Sequence, residues 1–194
     1  MKSLNRHVIV ALSSVLLLGA TQVFAQTNPN LHRPAERSAR TRMALIEEAR
    51  HQLLTLPYYG IFDWLDATVG SNGKVILHGQ VVRPTTKDDA EARIKKLENV
   101  KTVVNEIEVL PLSTFDDEIR MALYRRISSE SSLMKYFVQA VPPIHIVVQN
   151  GHVTLRGVVD SAMDSQLAYM AASGVPNTFE VKNELRIQTT AKTT

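Results

Sequence analysis

The sequence predicts an α+β fold in duplicate: two tandem αββαβ units, each with its helices packed on one face of a small sheet. Segments repeat at a constant offset of 78 residues, namely 72–73 with 150–151, 75–79 with 153–157, and 105–107 with 183–185. Within each copy, apolar residues recur at helical spacing, then alternate as in strands, then return to helical spacing. An Asn-Gly pair lies between the first two alternating runs of each copy, which is typical of a β-hairpin. Two small domains are therefore expected rather than one large one.

Residues 1–25 have the pattern of a secretory signal peptide. Lys2 and Arg6 precede an apolar run over residues 8–18, and Ala25 ends a stretch suited to signal peptidase. The run is shorter than the roughly 20 apolar residues that a membrane-spanning helix needs. We therefore expect cleavage after Ala25 and export to the periplasm.

The remaining boundaries follow from composition and from the repeat. Residues 26–41 are polar and contain two prolines, so a flexible leader is expected there. Its arginines could contact anionic lipid headgroups, although a solvated linker is the simpler interpretation. The first unit is expected over 42–111, the second over 115–188, and a short tail over 189–194.

The first unit opens with a helix over residues 43–54, because Leu45, Ala49 and Leu53 recur on one face. Residues 65–69 alternate as a strand, and Asn72-Gly73 suits a two-residue type I′ turn. The partner strand, the second helix and the last strand are expected over 74–82, 86–97 and 103–109.

The second unit repeats this order. A helix is expected over 119–128, with the acidic run 116–118 at the positive end of its dipole. The two hairpin strands, the second helix and the last strand are expected over 144–148, 153–159, 164–172 and 180–187. Each sheet is expected to be antiparallel, with one face covered by both helices and the other open to water or to a partner.

Charge and composition exclude several classes of function. Without Lys2 and Arg6 the chain has 20 basic and 19 acidic residues, so a strongly cationic surface that binds nucleic acid is not expected. The absence of cysteine excludes a disulfide framework and thiol chemistry.

No catalytic or metal-binding pattern stands out. His145 and His152 flank the second hairpin and could approach each other, but no cysteine, no His-x-x-x-His pair and no suitably spaced carboxylate accompanies them. The serines have no plausible His-Asp partner. No metal, no cofactor and no enzymatic activity is expected.

The pattern Asn-Gly-x-Val-x-Leu-x-Gly-x-Val, followed by a helix and then Val-x-Asn-x-(Ile/Leu), resembles the BON domain of bacterial osmotically inducible and nodulation proteins. Each copy supplies one hairpin glycine, one strand glycine and one asparagine, which are Gly73, Gly79 and Asn105, and Gly151, Gly157 and Asn183. Glycine within a strand indicates a bulge or a close backbone approach, here expected toward the overlying helix. These positions are therefore interpreted as mainly structural.

The resemblance implies a non-enzymatic periplasmic module that associates with the phospholipid membrane surface, with anionic lipids as possible ligands, in envelope maintenance or osmotic stress. The alternative is a protein-interaction or chaperone-like module that binds another envelope protein. Aromatic residues suit a membrane interface, and the candidate lipid-binding residues are Tyr58, Tyr59, Trp64, Tyr136 and Phe137. Core packing would account for most of them, and Tyr58, Tyr59 and Trp64 are expected to be the exposed ones.

Overall fold

The computed structural model describes residues 33–139 and 141–188, which form two αββαβ units in tandem. The first unit contains α1 (Arg33–Leu54), β1 (Trp64–Val69), β2 (Lys74–Val81), α2 (Pro84–Ile94) and β3 (Thr102–Val109). The second contains α3 (Thr114–Ser128), a short 3-10 helix (Met134–Tyr136), β4 (Ile144–Gln149), β5 (His152–Val159), α4 (Ala162–Ser173) and β6 (Glu180–Ile187). The duplicated α+β fold is thus confirmed. The predicted signal peptide, residues 26–32 and the tail lie outside the described residues.

Helix α1 begins earlier than the sequence indicates. It starts at Arg33, so the prediction of a flexible leader is wrong for residues 33–41. Alanine, glutamate and arginine, which favour helix, dominate this stretch, and α1 continues through it although the side chains of residues 36–44 are all exposed. Burial begins only at Leu45 and continues at Ala49 and Leu53.

Each sheet has three strands, with the second strand of the unit in the middle. Strands β1 and β2 are antiparallel, whereas β2 and β3 are parallel, and the second sheet has the same arrangement. The expectation of a wholly antiparallel sheet is therefore wrong. The physical reason is the crossover helix between the second and third strands of each unit. The helix returns the chain to the end of the sheet where the second strand began, so the third strand runs in the same direction.

The two hairpins differ. Asn150 and Gly151 both have positive φ, 52° and 77°, and they connect Gln149 to its partner His152 as a two-residue turn, as predicted. In the first hairpin only Gly73 has positive φ, at 77°. The Gly70 amide donates to the Lys74 carbonyl at 2.8 Å, and the Gly73 amide donates to the Gly70 carbonyl at 3.3 Å. This hairpin is a three-residue loop whose last residue is a left-handed glycine, so the type I′ prediction fails there.

The two units pack against each other through the edge strand β4. The Ile146 amide donates to the Ile61 carbonyl at 2.7 Å, so the segment before β1 covers part of an otherwise free strand edge. Ile61 and Phe62 also pack against the core of the second unit. The Gln149 side chain donates to Glu108 at 2.7 Å. Part of the helix-free face of the second sheet is therefore covered by the first unit.

Candidate functional site

The strand glycines permit a close approach between neighbouring strands. Gly79 and Gly157 have φ of +135° and +121°, and a Cβ at either would lie 1.9 Å from a backbone carbonyl oxygen, that of Trp64 or Pro143. The close contact is with the chain at the adjacent strand and not, as the sequence interpretation expected, with the overlying helix.

The asparagines of the repeat fasten each second helix to its sheet. Asn105 donates to the Lys87 carbonyl at 3.2 Å and to the Glu91 carboxylate at 3.0 Å, and its own oxygen accepts from the Ile107 amide. Asn183 makes the same kind of bonds in the second unit, donating to the carbonyl and the hydroxyl of Ser165. The asparagines of the repeat therefore link helix to sheet, and the strand glycines lie at close contacts between neighbouring strands.

The structure separates the five candidate aromatic residues. Tyr58 is 69% exposed, and the Arg83 guanidinium lies 4.8 Å from the centre of its ring. Tyr59 and Tyr136 are buried, so the expectation that Tyr59 is exposed is wrong, and neither side chain forms part of the surface. Trp64 and Phe137 are half-buried.

Tyr59 and Trp64 belong to the contact between the two units. The His145 ring lies between them, with ring centres 5.3 Å from Tyr59 and 5.4 Å from Trp64. His145 Nδ1 lies 3.2 Å from the Gly60 carbonyl and Nε2 lies 3.5 Å from the Tyr59 hydroxyl. Because a carbonyl can only accept, the neutral ring carries its proton on Nδ1 and accepts through Nε2. Burial lowers the pKa of His145 to about 4 and raises the pKa of Tyr59, so both groups are neutral at pH 7.

Tyr136 belongs to a polar network inside the second unit. Its hydroxyl donates to Asp164 at 2.7 Å and accepts from the Asp160 amide at 2.8 Å. The hydrogen bond from Tyr136 lowers the pKa of Asp164. Lys135 bridges the two carboxylates, at 2.7 Å from Asp160 and 3.2 Å from Asp164. In the first unit, the amide of Val82 donates instead to the buried Asp63.

The acidic run at the start of α3 holds the second hairpin. Asp116 is fully buried, and its two carboxylate oxygens accept from the backbone amides of Asn150 and Gly151 at 2.9 and 2.8 Å. The prediction that this run belongs to a helix N-terminus is confirmed, because the Ser113 side chain caps α3 at the Asp116 amide. Its contact with the hairpin was not predicted.

Beside this hairpin lies an exposed aromatic pair that the sequence interpretation missed. Phe115 and Phe179 have ring centres 6.5 Å apart and are 41% and 72% exposed. The His152 ring lies 5.9 Å from Phe179. One signal was available in the repeat: Phe179 stands 78 positions after Lys101, so the second copy places an aromatic residue where the first has a cation.

The corresponding end of the first unit is basic. A groove of about 420 Å³ separates α1 from the first hairpin, and Arg37, Arg42 and Lys101 line it together with Asn72 and Gly73. All three cations are exposed, and none forms an ion pair with another described residue. No acidic side chain is among the described residues that line this groove.

The structure does not bring the candidate metal ligands together. His145 faces the first unit, whereas His152 lies 3.4 Å from Glu180 on β6. Over residues 33–139 and 141–188, no group of three or more histidine and acidic side chains is placed to hold a metal ion. Within the same ranges, no helix combines the length and the apolar character needed to cross a membrane.

These features define a tandem-repeat α+β protein. Repeated asparagines link helix to sheet in each unit, and the two units differ in the side chains beside their hairpins. The family model of the BON domain matches residues 67–111 and 115–189. The chain belongs to the BON-domain family.

One curated relative is the outer membrane lipoprotein DolP of Haemophilus influenzae, 32% identical over an alignment of 123 residues that covers 58% of this chain and 59% of the relative. The match therefore spans less than two thirds of that relative's length. Two solved structures of CdsD, a structural protein of the type III secretion system of Chlamydia trachomatis, match 74% and 75% of this chain, and 97% and 92% of theirs, at 17% and 13% identity. Their TM-scores of 0.28 and 0.29 support no conclusion about this chain.

Proposed function

We propose that this chain is a non-enzymatic protein of the bacterial cell envelope that binds the surface of phospholipid membranes. Membership of the BON-domain family and similarity to an outer membrane lipoprotein support a place in the periplasm, peripheral to a membrane. A role in envelope maintenance under osmotic stress follows from the family resemblance. The match covers only 59% of that relative, so its partners are not transferred to this chain.

The exposed pair Phe115–Phe179 carries the proposal. Two phenylalanine rings in contact at a surface remain partly in water unless something apolar covers them, and aromatic rings suit the headgroup level of a membrane. Tyr58 is the candidate that remains from the sequence, since its ring is exposed beside the Arg83 guanidinium. A ring next to a cation suits the surface of an anionic bilayer.

The test is flotation of residues 26–194, which include every described residue, with vesicles of phosphatidylglycerol or of phosphatidylcholine at low and high salt. We expect flotation with phosphatidylglycerol that weakens as salt rises, because the contributing charges are exposed and screened. Flotation with neither lipid under any condition would contradict the proposal and favour a protein partner in the envelope.

Three variants locate the contact. Phe179→Ala should weaken flotation about fivefold, because losing partial burial of one phenylalanine costs about 1 kcal/mol. Tyr58→Ala tests the other exposed ring in the same way. Met163→Ala is the matched control, since Met163 is 73% exposed and lies in the first turn of α4, at the end of the second unit opposite its hairpin. If Phe179→Ala and Tyr58→Ala both float like the unchanged protein and like Met163→Ala, the two aromatic surfaces are not the membrane contact.

A further inference from the structure

We infer that the groove between α1 and the first hairpin is a binding site for a phosphate group, held by Arg37, Arg42, Lys101 and the backbone amide of Asn72. The inference deepens the proposed membrane function. It rests on that proposal for the source of the phosphate, which would be a lipid headgroup. A soluble phosphate would present the same chemistry.

In the second unit the hairpin binds an oxyanion. There the carboxylate of Asp116 accepts from two consecutive backbone amides, those of Asn150 and Gly151, at 2.9 and 2.8 Å. Consecutive amides in a turn with left-handed residues converge on one point and form a concavity for an oxyanion. In this unit the oxyanion belongs to the chain itself, and the site is filled.

The first unit replaces that internal carboxylate with a cation. The buried residues of the first helices correspond at an offset of 74, since Leu45, Ala49 and Leu53 match Ile119, Leu123 and Ile127, and the helix ends Leu54 and Ser128 differ by the same number. At that offset, Arg42 of the first unit occupies the position of Asp116 in the second. A guanidinium cannot accept a hydrogen bond, so Arg42 cannot take over the role of the carboxylate.

The rest of the groove differs in the same direction. Lys101 stands where the second unit has Phe179, because the amides of both residues donate to the carbonyl of the hairpin glycine, at 2.8 Å to Gly73 and 2.9 Å to Gly151. Arg37 adds a third cation to the groove, five residues before Arg42 on α1. Phe179 and the Asp116 carboxylate of the second unit thus correspond to the cations Lys101 and Arg42 in the first.

One hairpin amide, that of Asn72, remains available to a ligand. The Gly73 amide donates to the Gly70 carbonyl at 3.3 Å, a long hydrogen bond, and the Asn72 amide has no acceptor among the described residues. Asn72 is exposed and the Asn72 side chain accepts from the Lys74 amide at 3.1 Å, which fixes the loop. Three cations and one free amide, with no carboxylate beside them, match the anionic oxygens of a phosphate group.

The test measures amide chemical shifts of residues 26–194 during titration with inorganic phosphate and with glycerol 3-phosphate, together with flotation on phosphatidylglycerol vesicles. We expect saturable shifts at Asn72 and Gly73. Arg42→Asp, which supplies the carboxylate of the second unit, should weaken phosphate binding at least about tenfold, because it removes a charge-assisted hydrogen bond and fills the concavity. Arg125→Asp makes the same change of charge on the exposed side of α3 and should leave the binding unchanged.

The outcomes separate the sources of phosphate and the two proposals. Loss of both the shifts and the flotation in Arg42→Asp supports a lipid headgroup, whereas loss of the shifts alone supports a soluble phosphate. Shifts at the hairpin in a protein that floats with no vesicle support the site and contradict the membrane function. Unchanged shifts at Asn72 and Gly73 overturn the site even if flotation persists, and so does Arg42→Asp binding phosphate like the unchanged protein.

Discussion

The buried His145 between the two units should make the stability of this protein depend on pH between 7.5 and 5. Its pKa is lowered to about 4 by burial, whereas an unfolded histidine titrates near 6.5. Between these values the unfolded chain binds the extra proton, so the free energy of unfolding falls as pH falls. The full difference corresponds to about 3 kcal/mol, reached below pH 4, and about 2 kcal/mol of it is lost by pH 5.

The assay is urea unfolding at steps between pH 7.5 and 5, a range in which ordinary carboxylates stay ionised. In His145→Asn the side-chain amide can still donate to the Gly60 carbonyl but does not titrate, so the loss of about 2 kcal/mol should disappear. His78→Gln is the control, because His78 is half-exposed beside Glu106, and it should retain the slope. Equal slopes for the unchanged protein and His145→Asn would refute the reasoning.

Three further predictions concern the structural residues. Gly157→Ala should destabilise the protein by about 3 kcal/mol or more, since its Cβ would lie 1.9 Å from a backbone carbonyl oxygen at a φ of +121°, whereas Gly60→Ala, with 4.0 Å of space, should be tolerated in thermal melts. Asp116→Ala should cost about 3 kcal/mol in urea unfolding, because two hairpin amides lose a charged acceptor; an unchanged midpoint would contradict this. Tyr136→Phe should cost about 1–2 kcal/mol by removing a buried hydroxyl with two hydrogen bonds, and the same change at the exposed Tyr58 should cost nothing measurable.

Much of the fold could be predicted because the sequence contains the pattern of the unit twice. The offset of 78 between Gly73 and Gly151 holds through both second strands, both second helices and both last strands, since the crossover unit has the same length in each copy. The sequence interpretation assigned structural roles to the asparagines and strand glycines, and in the structure these residues make hydrogen bonds and close contacts within each unit.

The candidate site was less predictable, because exposure depends on contacts between distant segments. Tyr58 and Tyr136 correspond in sequence at the repeat offset, yet one is exposed and the other is buried. The longer segment before β4, which holds the 3-10 helix, directs Tyr136 toward Asp164. Residues of the first helices correspond at an offset of 74 rather than 78. The repeat offset of 78 therefore does not show that Arg42 takes the position of Asp116.

The sequence by itself determined that this chain is duplicated, which elements it forms and which glycines and asparagines hold them together. Hydrophobic periodicity and turn residues are local properties of the sequence, and both repeats show them. Only the tertiary structure decided that β2 and β3 run parallel, that Tyr59 and Trp64 meet His145 between the units, and that one hairpin binds an internal carboxylate while the other faces three cations. Those features depend on the position of each helix along its sheet and on the packing of one unit against the other. Both bring together residues that are far apart in the sequence.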